Sequence, residues 1–355
     1  MIQSTLDILR QLVSYDTTNP PREIATDGIF AYITRLLEPA GFELDLTDLG
    51  DGCITLFARR GAPTTLFNVH LDTVPADVNW ETDPFSLQTS EHDAIGLGAC
   101  DIKGAAACLL ASAISTNGSI CLLFTSDEEA GQSRCVKTFL EHVPVGLENV
   151  VVAEPTQCKA VSAHRGLLSV EGVFHGRAAH GSIETDESFN ANHQAARWVH
   201  RALDYAASRE IDSFEHLNGI RLNVGVIEGG IKANVIASKA KVVFGFRPLP
   251  MHEPNALLKD LCDFHPHASW TTRFEASPLR PHEKISHYID QLGLEPGPIV
   301  DFWTEAALFS NARYPTIVFG PGDIAQAHTA GEWVALDQLE SATRTYTRLF
   351  SNASS

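Results

Sequence analysis

Five residues of this 355-residue chain have the types and placement to hold metal ions together: His70, Asp101, Glu129, Glu154 and His328. His70-Leu71-Asp72 ends the apolar run Leu66-Phe67-Asn68-Val69. Residues i and i+2 of a strand face the same side, so His70 and Asp72 can look into one pocket. A carboxylate placed there can accept the second ring N–H of a ligating histidine and fix its tautomer. Asp101 lies in Gly96-Leu97-Gly98-Ala99-Cys100-Asp101-Ile102-Lys103-Gly104, where glycines permit close backbone approach and unusual dihedrals. Asp127-Glu128-Glu129 follows the run Ile120-Cys121-Leu122-Leu123-Phe124. Three adjacent acids at the end of a buried strand repel one another and call for cations. Glu154 leaves Val150-Val151-Val152-Ala153, and His328 follows the turn Gly320-Pro321-Gly322-Asp323.

Singly, each has a plain structural alternative. The His-x-Asp pair can sit on a surface, Asp101 can N-cap the helix after it, and the three acids can open a solvated helix. Jointly they make a nitrogen and oxygen ligand set, which suits zinc, cobalt or manganese better than a thiolate site would. Five ligands suffice for two ions if one carboxylate bridges, and Glu128 is then free to act as general base on water.

These side chains must be positioned by the ends of strands. Strand-like runs fall near 53–58, 65–70, 119–124 and 149–153, and helical patterns at 3–15, 27–40, 103–116 and 133–142. Such alternation predicts an α/β domain with a largely parallel, covered sheet, and ligands bind at the carboxyl ends of its strands. After about 160 the style changes. Residues 167–174, 220–227 and 239–247 read as strands and 189–207 as a helix, an α+β unit with antiparallel character. The βα style returns with a helix at 283–292, a buried strand at 315–320 and a helix at 336–350. The expected organisation is one domain from 1–160 and 276–355, with 161–275 inserted.

Composition narrows the function classes. Lys and Arg number 26 against 44 Asp and Glu, a formal charge of −18. Such a surface repels nucleic-acid phosphates and anionic lipid, so neither nucleic acid nor membrane is an expected partner. Seven cysteines, odd in number and without a CxxC pair, read as buried small hydrophobes in a reducing compartment. The N-terminal residues lack the basic start and long apolar stretch of a signal peptide, and the longest apolar run, around 104–114, is too short to span a bilayer. A cytoplasmic location is expected.

His70-x-Asp72, Asp101 before Lys103-Gly104, Glu128-Glu129-x-Gly131, Glu154 and His328 together resemble the M20 family of metallopeptidases and deacylases, over essentially the whole chain. Asp16-Thr17-Thr18-Asn19-Pro20-Pro21, Gly229-Gly230-Ile231-Lys232-Ala233-Asn234, Phe246-Arg247-Pro248-Leu249-Pro250 and Thr304-Glu305-Ala306 resemble its acetylornithine and acetylcitrulline deacetylase branch. The resemblance implies a zinc-peptidase-like catalytic domain with two divalent ions, zinc or cobalt. Asp101 would bridge them, with His328 and Glu129 completing one site and His70 and Glu154 the other. Asp72 would orient His70, and Glu128 would be the general base and later the proton donor. It also implies that the inserted domain is a lid through which the chain forms a homodimer. His180 would enter the partner's site and stabilise the oxyanion, and Asn234 and Arg247 would hold a substrate carboxylate, where arginine suits a bidentate grip. His164-Arg165-Gly166 matches a family segment that reads as hinge support.

The activity so implied is removal of the acetyl group from an N-acetyl amino acid, acetylornithine first and acetylcitrulline as its alternative. Glu305 is a candidate for reading the substrate's far end. Arg247, His180 and Glu305 each retain a structural alternative. A succinyl-diaminopimelate desuccinylase, a dipeptidase of the same family and a metal-binding relative without turnover stay open as rival readings.

Overall fold

The computed structural model describes residues 2–129, 133–184, 186 and 188–352. Gly131 of the Glu128-Glu129-x-Gly131 motif lies outside the described residues. The chain divides into two compact units, one of Met1–Ser162, Pro281–Pro298 and Thr304–Ser355, the other of Ala163–Arg280 and Ile299–Trp303.

The first unit opens with α1 (Ile2–Val13), whose apolar face of Leu6, Leu9, Leu12 and Val13 is buried. The helix expected over 27–40 is interrupted. Gly28 takes ψ −119°, so Thr26–Phe30 is an irregular turn and only α2 (Ala31–Leu37) is regular helix. Then follow β1 (Glu43–Asp48), β2 (Ile54–Arg60), β3 (Thr65–His70), α3 (Lys103–Ser115), β4 (Ile120–Thr125), α4 (Arg134–Glu141) and β5 (Asn149–Val152). The second unit carries β6 (Leu167–His175), α5 (Ala191–Ser208), β7 (Leu222–Gly229), β8 (Lys239–Phe246), α6 (Pro254–Asp263) and β9 (Ser269–Ala276). The return adds α7 (Ile285–Leu292), α8 (Ala306–Asn311), β10 (Thr316–Val318) and α9 (Leu336–Asn352).

The sheet of the first unit runs β1-β2-β4-β3-β5-β10. The pairs β4–β3, β3–β5 and β5–β10 are parallel, and β1–β2 and β2–β4 antiparallel, giving a mainly parallel mixed sheet. Every residue of β4 is buried, which explains its unbroken apolar run. The Ala-rich α3 is buried from Lys103 through Ala113, so it shows no polar face. Parallel strands end on one edge. His70 closes β3 opposite Thr125 of β4, and Glu154 follows β5 by two residues. The acid and histidine positions are therefore gathered by topology.

The second unit is a four-stranded antiparallel sheet, β7-β8-β6-β9. Alternation in β6 and β8 puts Leu168, Val170, Phe174, Val242, Phe244 and Phe246 against Trp198 of α5 and Leu257 and Leu261 of α6. Residues 299–303 belong here because Val300 pairs with His164 and Asp301 Oδ1 accepts from Arg165 Nε at 2.7 Å. Buried Arg165 also donates to the carbonyls of Gly219, Arg247 and Asn218, all within the second unit.

Candidate active site

Asp101 stands between two histidines. Its Oδ1 is 3.2 Å from His70 Nε2 and its Oδ2 is 3.2 Å from His328 Nε2. Glu154 Oε1 lies 3.7 Å from His70 Nε2, and Glu129 Oε1 lies 3.0 Å from His328 Nε2. The five residues thus form two triplets, His70-Asp101-Glu154 and Asp101-Glu129-His328, whose ligand atoms lie within 4.8 Å of one another. Asp101 gives one oxygen to each. The helix-cap alternative fails for Asp101, because the N-cap of α3 is Ile102. The loop before α3 is tight: Gly98 has φ +79°, and a Cβ on Gly104 would stand 2.3 Å from the Ala99 carbonyl oxygen.

The buried charges of the site act strongly on one another. Burial disfavours the charged form of His70, yet hydrogen bonds to Asp101 and Asp72 and the charges of Glu154 and Glu128 raise its pKa well above the usual value. Hydrogen bonds to Asp101 and Glu129 push His328 up to about 11. Burial opposes ionisation of Asp101, but the two histidines hold it well below the carboxylate range. Burial and neighbouring acids raise Glu128, Glu129 and Glu154. Buried carboxylates that resist ionisation while clinging to protonated histidines lack positive charge, which divalent ions would supply. The nitrogen and oxygen donors fit zinc- or cobalt-type ions.

Asp72 serves more groups than its spacing implied. His70 Nδ1 meets the Asp72 backbone carbonyl at 3.0 Å and the Asp72 Oδ1 at 3.5 Å. With a proton on Nδ1 for that carbonyl, Nε2 is free to face the triplet. The Asp72 carboxylate accepts instead from Asn19 Nδ2 at 2.7 Å and from the amides of Glu128 and Glu129 at 3.2 and 3.0 Å. Of the three consecutive acids, Asp127 has a separate role, accepting the Arg134 and Cys135 amides at the start of α4.

Two contributors escaped sequence reasoning. Asn19 sits in the noted Asp16–Pro21 segment, but nothing in that segment pointed at Asp72. Glu332 is 1% exposed and accepts the amides of Gly98, Cys100 and Asp101 at 3.0, 2.9 and 2.8 Å. Glu305 is also 1% exposed; one oxygen accepts from Thr125 Oγ1 at 3.2 Å, and burial with the nearby Asp127 charge pushes it up to about 8. That position supports the end of β4 and is remote from solvent.

His180, Asn234 and Arg247 lie in the second unit. His180 is exposed, with Nδ1 2.7 Å from Ser182 Oγ, and pairs by a bridge with Val235, next to Asn234. Arg247 is half-buried and donates to the Asp301 carbonyl at 3.4 Å. Asn234 lies ahead of β8 and Arg247 directly follows it, so the whole eight-residue strand, ~26 Å long at ~3.3 Å per residue, lies between them in the chain. All seven cysteines are free, five of them buried. Among the described residues no helix is long and apolar enough to cross a membrane.

Known proteins share this architecture and sequence. The pattern described as peptidase family M20/M25/M40 matches residues 66–352. N-acetyl-L-citrulline deacetylase of Xanthomonas campestris pv. campestris is 46% identical, over 99% of each chain. Acetylornithine deacetylase of Vibrio vulnificus is 29% identical, over 96% of each chain. Among solved structures, aminopeptidase PepT of Bacillus cereus superposes with a TM-score of 0.77 at 16% identity over 99% of each chain, a likeness of fold. With the family pattern spanning most of its length and a relative at nearly half identity along all of it, the chain belongs to peptidase family M20/M25/M40.

Proposed function

We propose that this protein is a dinuclear metal-dependent amidohydrolase that removes the acetyl group from N-acetyl-L-citrulline, with N-acetylornithine as the second candidate. The observation that carries the reading is Asp101 shared between two ligand triplets, with Glu128 on the same buried edge. The order of substrates rests on 46% identity to the citrulline-type relative against 29% to the ornithine type. Glu305, whose Oε1 has no hydrogen-bond partner and whose charge acts on Glu128 and Glu154, is the candidate for reading the substrate's far end.

Zinc or cobalt ions at the two triplets would supply Lewis acidity that polarises the acyl carbonyl and acidifies water. Glu128 takes the proton of the attacking water on a carboxylate oxygen. As the C–N bond breaks, it delivers that proton to the leaving amine nitrogen, releasing acetate and a free amino acid. Asp72 keeps the Glu128 and Glu129 backbone in place during both transfers. His180 donates to the developing oxyanion, and Asn234 and Arg247 hold the α-carboxylate.

The second unit acts as a lid and as the surface of a homodimer. Arg247 directly follows β8 and Asn234 lies ahead of it, which supports a reading in which Arg247 comes from one protomer and Asn234 with His180 from its partner. Strand β7 is an edge of its sheet with Ile227 exposed, a surface suited to a second copy. A cytoplasmic setting accords with seven free cysteines.

The experiment is amine release from a panel of N-acetyl-L-citrulline, N-acetylornithine, N-acetylmethionine, succinyl-diaminopimelate and simple dipeptides. Fastest release from N-acetyl-L-citrulline supports the reading. Hydrolysis of dipeptides alone defeats it.

A further inference from the structure

We propose that Glu332 is a positioning residue for the Asp101-Glu129-His328 triplet, fixing the Asp101 loop to the chain segment that carries His328; this rests on the metal reading above. Four amides of the loop end on this residue. Its Oε1 takes Cys100 and Asp101, its Oε2 takes Gly98, and its backbone carbonyl takes Gly96 at 3.0 Å. Loop amides buried without such acceptors would be costly, and a carboxylate is the strongest acceptor the chain can offer them.

On its other side Glu332 is tied to His328. Its amide donates to the Thr329 carbonyl at 3.2 Å, closing the turn that directly follows His328, which itself sits at φ +59°. The next residue, Trp333, pairs with Ile95 in a short antiparallel ladder, Trp333–Ala335 against Asp93–Ile95. Two segments more than two hundred positions apart in sequence are therefore registered by one side chain and one ladder. Because Glu332 grips only backbone, both Asp101 oxygens stay available, one for each histidine. The His70-Asp101-Glu154 triplet has other supports, the Asp72 carbonyl for His70 and the end of β5 for Glu154. Glu332 registers both Asp101, which the two triplets share, and the turn after His328, so its loss should weaken both sides, and the His328 side more because two of its three residues are displaced.

The test is calorimetric titration of metal-free protein with Zn²⁺, repeated with Co²⁺ while recording its visible absorption spectrum. Wild type should take up two equivalents. Glu332→Gln places an amide N–H₂ against backbone N–H donors, and should weaken the second equivalent by about 10–100-fold and the first, which shares Asp101, by a smaller factor. The Co²⁺ spectrum should change more in the second step than in the first. Glu332→Ala should lie in the same direction and further; if it does not fold, Glu332→Gln carries the test. A folded Glu332→Gln with both steps at wild-type affinity, or with both weakened equally, overturns the proposal. A wild-type protein that binds no metal removes the metal reading itself, and this inference with it.

Discussion

Asp72 holds Glu129 by its backbone: Asp72 Oδ2 accepts the Glu129 amide at 3.0 Å. Its Oδ1 accepts the amide of Glu128, the proposed base, at 3.2 Å, while its main-chain carbonyl meets His70. One fully buried residue thus couples a candidate ligand of each triplet to the proposed base. Replacing Asp72 by Asn turns one acceptor oxygen into a donor facing a donor. Metal affinity should fall by about 10–100-fold, with turnover reduced even at saturating metal, as measured by titration calorimetry and steady-state assay.

Glu128 tests the proton-transfer step apart from metal binding. It belongs to neither triplet, so Glu128→Gln should retain the wild-type metal content. Turnover should drop by about 10²–10⁴-fold, the range for removing a general acid–base group. Metal analysis with a deacetylation assay reads both, and near-normal turnover would remove Glu128 from the mechanism.

The ends of β3, β4 and β5 were legible in the sequence because buried parallel strands read as apolar runs, and an acid or histidine closely following such a run is conspicuous. Edge elements were less legible. Strand β1 and strand β9 are mostly exposed, so their residues carry no burial pattern to betray them. Asn19 and Glu332 escaped for another reason. Asn19 meets a partner far along the chain, and Glu332 acts on backbone amides, which every residue but proline possesses. Their positions cannot be inferred from residue spacing.

The metal-free protein should lose stability as pH rises. His70 and His328 have folded pKa values raised above the unfolded value, so their contribution is complete below about 6.5 and is lost as pH climbs towards the folded values. Glu128, Glu129 and Glu154 are raised too, and the folded state resists their ionisation from about pH 4.5 upward. Both signs agree: the folded state binds more protons than the unfolded one. Thermal melts of chelator-treated protein should show Tm falling from about pH 5 to about pH 8, and added Zn²⁺ should reverse the trend because deprotonated ligands bind metal.

Gly104 offers a steric test. A methyl group there would meet the Ala99 carbonyl oxygen at 2.3 Å, and the backbone must shift to admit it. Gly104→Ala should destabilise the protein by about 1–3 kcal/mol and also weaken metal binding, because the displaced loop carries Asp101. Denaturant unfolding of metal-free protein separates the first effect from the second.

In the proposed mechanism two metal ions shared through Asp101 produce the hydrolysis. Metal-free protein titrated with Zn²⁺ or Co²⁺, with bound metal and N-acetyl-L-citrulline deacetylation measured on the same samples, tests it most directly. Turnover should be negligible without metal, rise with uptake, and saturate at two ions per chain. Full turnover in chelator-treated protein, or a single ion bound at saturation, would contradict it.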